Sequence, residues 1–449
     1  MTDPKLNPTP LTAHGADPLS GRFSVPGDGT ISLRALLLAA LTVGRSTITG
    51  MRASREVLAS AQVLRQMGVA IEQHGDAWHV DGLGVAGLLE PERALNSEGH
   101  ADSTILLLGL LAPYGLVTSI DTSSAGEGAL PPALLDGLGA LGARVERRSE
   151  GGLSLHGASL PVPLRQSLIA PDEATKTALL LAGLQIAGDS VIHESAATAD
   201  HTEKLLAAFG ADITVTPDAD DGEGVTIRLA GLPVLNPQAI SVPGDPSAAA
   251  FGIVAALIIK GSELVVENVL INPLRTGLID TLLEMGGDIQ FLNQRQIVGE
   301  HVADLRVRSS WLKGVHVDRR HARAMLDDLP ALAVAAAFAQ GETIIDGFAA
   351  PDGTAHDQLD TLAAGLAANK VDITRASDSL AITGDGKVTG GASIECHGDA
   401  AIAMSFAIMG LASRHRITIR DAAAIAEQFP DFVNIMTAAG GRFPPSKGR

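Results

Sequence analysis

The sequence predicts an α/β fold in which one structural unit occurs six times, three times in each of two domains. Each copy begins with an apolar helical stripe, a Gly (Lys370 in the fifth copy) and a β-branched strand, and most copies continue into a turn and a second strand. Gly adopts the left-handed conformation that ends a helix at no steric cost, so it predicts where each helix stops. The copies recur about every 70 residues, which indicates duplication. The residues at the six helix ends are Gly68, Gly142, Gly210, Gly286, Lys370 and Gly440.

The pentapeptide Ser-Val-Pro-Gly-Asp occurs at residues 24–28 and again at residues 241–245, and it separates the six copies into two groups of three. Each pentapeptide follows a short extended run and precedes a small-residue apolar helix, so it predicts a strand, a Pro-Gly turn and a helix start. We expect the chain to cross between domains at these two places. The expected organisation is a tail over 1–18, a first domain over 19–27 and 243–449, and a second domain over 28–242.

Composition limits the possible partners. Of the 449 residues, 46% are apolar, which is typical of a folded chain, and the net charge of -18 disfavours nucleic acid and anionic membrane surfaces. Cys396 is the single cysteine, which excludes a disulfide framework and favours a buried small side chain. No apolar run reaches the roughly 18 residues of a membrane helix, and the N-terminus lacks a signal-peptide pattern. We therefore expect a cytoplasmic protein.

Several sequence blocks carry a resemblance to a known family. They are Val25–Asp28 with Arg34–Leu37, Asp200–Lys204, Val242–Ser247, Asn272–Gly277, Leu329–Phe338, Ile402–Phe406 and Phe429–Phe432. In these blocks the chain resembles the enolpyruvyl transferases, specifically the class II branch of the EPSP synthase family. The resemblance covers nearly the whole chain, from Leu19 to about Phe443. The resemblance implies two inside-out α/β barrel domains of βαβαββ-like units, with a small-molecule substrate in the cleft between them. It also implies a monomer, and we expect no cofactor and no bound metal.

The family transfers an enolpyruvyl group from phosphoenolpyruvate to the 5-hydroxyl of 3-phosphoshikimate, and most of its substrate-binding cations are absent here. The family's Lys-Ser is Gly29-Thr30 in this chain, and the family's Ser-containing triplet that binds phosphate is Asp172-Glu173-Ala174. Two positions match: Arg34 in the first helix, and Asp327, which aligns with the family's catalytic aspartate. The other cationic positions of the family align with Ile105, Ala129, Ala199, Thr354–Gln358 and the pair Ala400-Ala401 after Asp399.

These replacements suggest a changed chemistry. We hypothesise that enolpyruvyl transfer is lost and that Asp327 serves as general acid or base on a cation, an amine or a neutral polyol in specialised metabolism. Crowded carboxylates in such a site should have raised pKa values. Two alternatives stay open: a non-catalytic binding or regulatory member of the family, and a genuine 3-phosphoshikimate 1-carboxyvinyltransferase. The expected substrate-binding residues are Asp28, Thr30, Arg34, Asp172, Glu173, Asp328, Gln358 and Asp399.

Several of these patterns also have structural interpretations. Asp172 and Glu173 precede an apolar helix expected over 174–184, and acidic residues are preferred at helix N-termini. Asp327 is open to the same interpretation. The segment Ala125–Gly128 is a poor phosphate loop because it has a carboxylate and no Lys. The remaining candidates are His100, Asp102, His356 and Asp357, which lack a third spaced metal ligand, and Arg144, Arg147 and Arg148, which suit a solvated hairpin.

Overall fold

The computed structural model describes residues 10–98, 100–122, 130–218, 222–323, 325–347, 354–376 and 378–444. The chain divides into two compact units. The first unit runs up to Pro26 and continues over Gly244–Arg295 and from His301 onward, and the second contains Gly27–Pro243 and Gln296–Glu300. Among the described residues, no helix has the length and apolar character needed to cross a membrane.

The strands are short, and most lie in hairpins or beside a helix connection. In chain order they are β1 (Leu11–Ala13), β2 (Ser20–Ser24), β3 (Val43–Thr49), β4 (Ala70–His74), β5 (Ala77–Leu83), β6 (Leu95–Asn96), β7 (Val117–Asp121), β8 (Arg144–Arg147), β9 (Leu153–His156), β10 (Arg165–Leu168), β11 (Asp189–Glu194), β12 (Ile213–Pro217), β13 (Val225–Ala230), β14 (Ala239–Ser241), β15 (Glu263–Leu270), β16 (Asp288–Ile297), β17 (Glu300–Arg308), β18 (His316–Val317), β19 (Gln340–Asp346), β20 (Asp372–Arg375), β21 (Ser379–Asp385), β22 (Ser393–Ile394) and β23 (Ile417–Ile419).

The helices alternate with these strands, as an α/β fold requires. They are α1 (Gly29–Ala40), α2 (Arg55–Gln66), α3 (Ala101–Leu111), α4 (Pro132–Leu141), α5 (Glu173–Gly183), α6 (His201–Ala208), α7 (Pro246–Ile258), α8 (Gly277–Glu284), α9 (Arg319–Arg323), α10 (Leu329–Ala337), α11 (Thr354–Ala368), α12 (Ala400–Ala412), α13 (Ile425–Gln428) and α14 (Phe432–Ala438), with short 3-10 turns at Leu326–Asp328 and Ala422–Ala424.

The six sheets of the described chain follow one plan. In β6-β7-β9-β8, for example, the strands on either side of α3 pair in parallel, and the second of them pairs antiparallel with a hairpin. The same order recurs in β10-β11-β13-β12, β14-β3-β5-β4, β16-β17-β15-β2 and β18-β19-β21-β20, while the sixth sheet, β1-β23-β22, has three strands. The sheets are open and separate. The predicted six-fold repetition of one α/β unit is therefore confirmed.

The strands before the two pentapeptides are exchanged between the repeats. β2, which leads into α1, pairs in parallel with β15 in the first unit. β14, which leads into α7, pairs in parallel with β3 in the second unit. Thus β2 belongs to the first unit although the next helix in sequence, α1, belongs to the second. Likewise, β14 belongs to the second unit although the next helix, α7, belongs to the first.

The predicted helix ends are confirmed by backbone geometry. The five glycines have positive φ angles, for example +91° at Gly68 and +118° at Gly440. Lys370 adopts the same left-handed conformation with φ of +67°, although a side chain makes that conformation unfavourable. The repeat therefore imposes the helix end even where its sequence lacks the preferred Gly.

Buried helices form the core of each unit because their sequences are apolar on every side. In the first unit, α7, α10 and α12 pack against one another, and Ala, Leu, Ile and Phe fill their contacts. In the second unit, α1, α3 and α5 are similarly buried. Cys396 is buried as expected. Small residues permit this close helix packing, which leaves polar side chains concentrated at the first turns.

Candidate active site

Three of the predicted site residues lie on α1 or at its start: Asp28 at the N-cap, Thr30 in the first turn and Arg34 in the second. Asp28 is 1% exposed and caps the helix, because its Oδ1 accepts a hydrogen bond of 2.9 Å from the Ile31 N–H. The Ser32 hydroxyl donates to the Asp28 carbonyl at 2.7 Å and ties the same turn together. Thr30 is half-buried, and its carbonyl accepts from Arg34 Nη1 at 3.1 Å. These contacts build the helix start, and a role in substrate binding stays a prediction for all three.

The Arg34 side chain is buried within the second unit. Its side chain is 4% exposed, and its Nε donates to the Thr202 hydroxyl at 3.0 Å. Its Nη2 donates to the Thr177 hydroxyl at 3.1 Å and forms an ion pair of 3.0 Å with Glu173. Arg34 thereby joins α1, α5 and α6 through one buried polar layer. These contacts tie the three helices together, and substrate binding by Arg34 stays a prediction.

Asp172 and Glu173 have the structural roles that sequence analysis kept as an alternative. Asp172 caps α5, since its Oδ1 accepts a hydrogen bond of 2.7 Å from the Thr175 N–H. Glu173 occupies the first turn and faces Arg34. Both carboxylates also lie where the positive end of the helix dipole stabilises negative charge. Neither residue therefore contributes the uncompensated negative charge on which the hypothesis of a cation, amine or polyol substrate depends.

Asp102 of the second unit, which sequence analysis considered only as a metal ligand, has a raised pKa. Asp102 lies in the first turn of α3, solvent-exposed yet surrounded by protein groups. Partial desolvation, with repulsion from Glu56, raises the pKa of Asp102 to about 6. Arg34, Asp172 and Glu173 also act on Asp102 electrostatically. The sequence signal that could have identified Asp102 was its position in the first turn after the helix N-cap.

In the first unit, the neighbours Asp327 and Asp328 differ sharply. Both lie in the 3-10 turn before α10, but Asp327 is exposed whereas Asp328 is 5% exposed. Burial raises the pKa of Asp328 to about 7, although a hydrogen bond with Ser247 and the nearby Arg275 act in the opposite direction. Asp328 Oδ1 has no hydrogen-bond partner within the described chain. The expected raised carboxyl pKa is thus found here at Asp328.

Asp399 and Gln358 form a second polar pair of the first unit. Asp399 caps α12, as its Oδ1 accepts from the Ile402 N–H at 2.8 Å. Its Oδ2 accepts a hydrogen bond of 2.8 Å from Gln358 Nε2, which joins α11 to α12. The side chains of His356 and Asp357, and the whole of the segment 125–128, lie outside the described residues. Substrate binding by Asp399 and Gln358 stays a prediction.

Two buried charge clusters of the second unit were missed in sequence analysis. Lys176 is 0% exposed, and its Nζ lies 2.8 Å from Glu203 and 3.3 Å from Glu194. In the other cluster, Glu300 contacts His201 Nδ1 at 2.6 Å and Lys204 Nζ at 3.1 Å. Asp200, His201 and Glu300 have the geometry of metal ligands. Lys204 bridges Asp200 and Glu300, so the ammonium already supplies positive charge there.

Curated relatives match the chain over nearly its whole length. The 3-phosphoshikimate 1-carboxyvinyltransferase of Methylorubrum populi is 41% identical over 440 residues, which are 97% of this chain and 97% of the relative. The protein of that name from Cereibacter sphaeroides is 42% identical over 434 residues, which are 96% and 97% of the two chains. Among solved structures, EPSP synthase from Acinetobacter baumannii matches with a TM-score of 0.88 and 32% identity, covering 97% of this chain and 99% of its own.

These relatives contradict the hypothesis that enolpyruvyl transfer is lost, and the expectation of a diverged acid/base enzyme in specialised metabolism is wrong with it. The physical error was to count charges at aligned positions. Asp172 is used as a helix cap and Glu173 is paired with Arg34, so both carboxylates are stabilised by protein groups and do not by themselves exclude an anionic substrate. Cations can also reach a site from positions that local alignment does not compare.

The family assignment has one further support. A family model described as EPSP synthase (3-phosphoshikimate 1-carboxyvinyltransferase) matches residues 13–436. This match covers most of both compact units and reaches every sheet described above. The chain belongs to the EPSP synthase family.

Proposed function

We propose that this chain is a 3-phosphoshikimate 1-carboxyvinyltransferase, which transfers the enolpyruvyl group of phosphoenolpyruvate to 3-phosphoshikimate. The observation that carries the proposal is the identity of 41% to a relative of that name, spread over 97% of both chains. Similarity that extends through both units and all blocks of the repeat is expected when the whole machinery is retained. Similarity of the scaffold alone would be weaker support, because one fold can host many functions.

The helix first turns give this proposal its electrostatic basis. Both substrates are anionic, and a helix N-terminus presents a partial positive charge that favours anions. In the second unit, Arg34 of α1 pairs with Glu173 in the first turn of α5, and both act electrostatically on Asp102 in the first turn of α3. In the first unit, the contact between Asp328 and Ser247 joins the starts of α10 and α7. The caps Asp28, Asp172 and Asp399 stabilise the starts of α1, α5 and α12.

We assign the acid/base step to Asp327. Its carboxyl group is exposed, so a substrate can reach it, whereas the adjacent Asp328 is buried. Proton transfer by a positioned side chain contributes about 100- to 10000-fold to a reaction rate. Asp327→Asn should therefore lower kcat by at least about 100-fold. We also retain a cytoplasmic monomer acting on small molecules, which light scattering of the purified chain and cell fractionation would test.

Complementation provides the decisive test. The chain is expressed in a bacterial strain that lacks EPSP synthase, and growth is followed without aromatic amino acids. We expect growth with the intact chain and with Asp136→Asn, which alters an exposed carboxylate of α4, and no growth with Asp327→Asn. The purified chain should also release phosphate when phosphoenolpyruvate and 3-phosphoshikimate are both present. A folded chain that neither supports growth nor releases phosphate would contradict the proposal.

A further inference from the structure

We infer that Arg52 supplies the cationic side chain that binds anionic substrate at the first turn of α1. This inference rests on the proposed function and adds a substrate-contact residue to it. Arg52 lies in the connection between β3 and α2, outside every block on which the family resemblance was based. Position 29, at the start of α1, is a glycine and offers no side chain of its own.

The side chain of Arg52 occupies the space beside Gly29. A Cβ atom built on Gly29 would lie 3.5 Å from Arg52 Cδ and 3.7 Å from Arg52 Nη1. These are ordinary van der Waals distances, so the guanidinium reaches the volume into which a residue at position 29 would project. Arg52 is half-buried, which leaves part of the side chain accessible. The glycine thus makes room for a cation from a neighbouring loop.

Backbone contacts hold this loop against α1. The Arg52 N–H donates to the Ser32 hydroxyl at 3.0 Å, and that hydroxyl donates to the Asp28 carbonyl at 2.7 Å. Gly27 packs so closely on the loop that an added Cβ would lie 1.9 Å from the Gly50 carbonyl oxygen. The position of Arg52 relative to the first turn of α1 is therefore set by the backbone. A cation fixed in this way loses less entropy when it binds an anion.

The charged groups of the second unit indicate why a substrate would need the Arg52 cation. The Arg34 guanidinium is already engaged by Glu173, Thr177 and Thr202 inside the protein. Asp102 and Glu56 add carboxylates near the first turns. A dianionic phosphate bound at the start of α1 would therefore need a further cation, and Arg52 lies beside Gly29 at that helix start. A guanidinium suits the purpose because it donates two parallel hydrogen bonds to phosphate or carboxylate oxygens.

The inference predicts a specific rescue. Arg52→Gln should weaken binding of 3-phosphoshikimate by about 10- to 100-fold, since charged hydrogen bonds are lost. Arg55→Gln is the matched control, because Arg55 is an exposed arginine three residues away at the start of α2. The double variant Arg52→Ala with Gly29→Lys places a cation on α1 itself and should regain at least about tenfold of the affinity. Gly29 lacks a positive φ angle, so lysine can adopt its backbone conformation.

Titration calorimetry with 3-phosphoshikimate, together with phosphate release from phosphoenolpyruvate, measures all four proteins, and circular dichroism verifies that each is folded. The inference is supported if the affinity for 3-phosphoshikimate falls in Arg52→Gln, is retained in Arg55→Gln and recovers in the double variant. Equal affinity of Arg52→Gln and the intact chain would overturn it and leave the proposed function standing. Loss without recovery would also overturn it, since it would indicate a structural role. An intact chain that neither binds nor turns over 3-phosphoshikimate would refute the proposed function and the inference together.

Discussion

The buried carboxyl group of Asp328 gives a quantitative prediction about stability. Its pKa is about 7 in the folded chain against an ordinary value of 3.8. The folded chain therefore binds a proton at Asp328 more tightly than the unfolded chain does. The resulting contribution to stability is fully present below pH 3.8 and is lost as the pH rises to about 7. The contribution of Asp328 to the free energy of unfolding therefore falls by roughly 3 kcal/mol between about pH 5 and about pH 8.

Asp328→Asn removes this cost because the amide is neutral at every pH and has nearly the same shape. Relative to the intact chain, the variant should gain roughly 3 kcal/mol more unfolding free energy at about pH 8 than at about pH 5. Urea unfolding is the suitable assay, since urea is uncharged and leaves electrostatic interactions unscreened. The control is Asp327→Asn, which makes the same chemical change at the exposed neighbour. A difference between Asp328→Asn and the intact chain that is the same at both pH values would refute the reasoning.

Two further predictions concern buried charge and backbone conformation. Lys176→Met should lower the unfolding free energy by about 3–5 kcal/mol, because Glu194 and Glu203 would be left buried without their cation. Thermal unfolding measures the loss, and a triple variant that also carries Glu194→Gln and Glu203→Gln should recover much of it; no recovery would show that packing, and not charge, holds this cluster. Lys370→Gly should raise the unfolding free energy by about 1 kcal/mol, since Gly adopts the left-handed conformation at no cost. An unchanged or lower urea midpoint for Lys370→Gly would contradict this explanation.

The repeat was predictable because helix ends depend on local chemistry. A Gly after an apolar stripe marks the left-handed residue at which a helix stops, and the five glycines and Lys370 adopt that conformation. The hairpin turn at Gly75-Asp76 between β4 and β5 follows from the same local preference. The capping alternative for Asp172 was also available from sequence, since Asp is favoured immediately before a helix.

The candidate site was less predictable, because its charges depend on partners distant in sequence. Glu173 looked like an added negative charge until Arg34, 139 positions earlier, was found at 3.0 Å. Asp327 and Asp328 are adjacent and chemically identical, and only packing against α7 distinguishes the exposed carboxyl from the buried one. For the same reason the position-by-position count of missing cations led to the wrong conclusion about activity.

The sequence by itself determined the repeated α/β unit, the helix ends, the pentapeptide turns and the family, because each is encoded in contiguous residues or in their spacing. Tertiary structure decided which charges are compensated, which carboxyl is buried and which cation lies beside Gly29. Solvation and Coulomb energy depend on distances through space, and in this fold those distances join β11, α5 and α6 or the loop at Arg52 with α1.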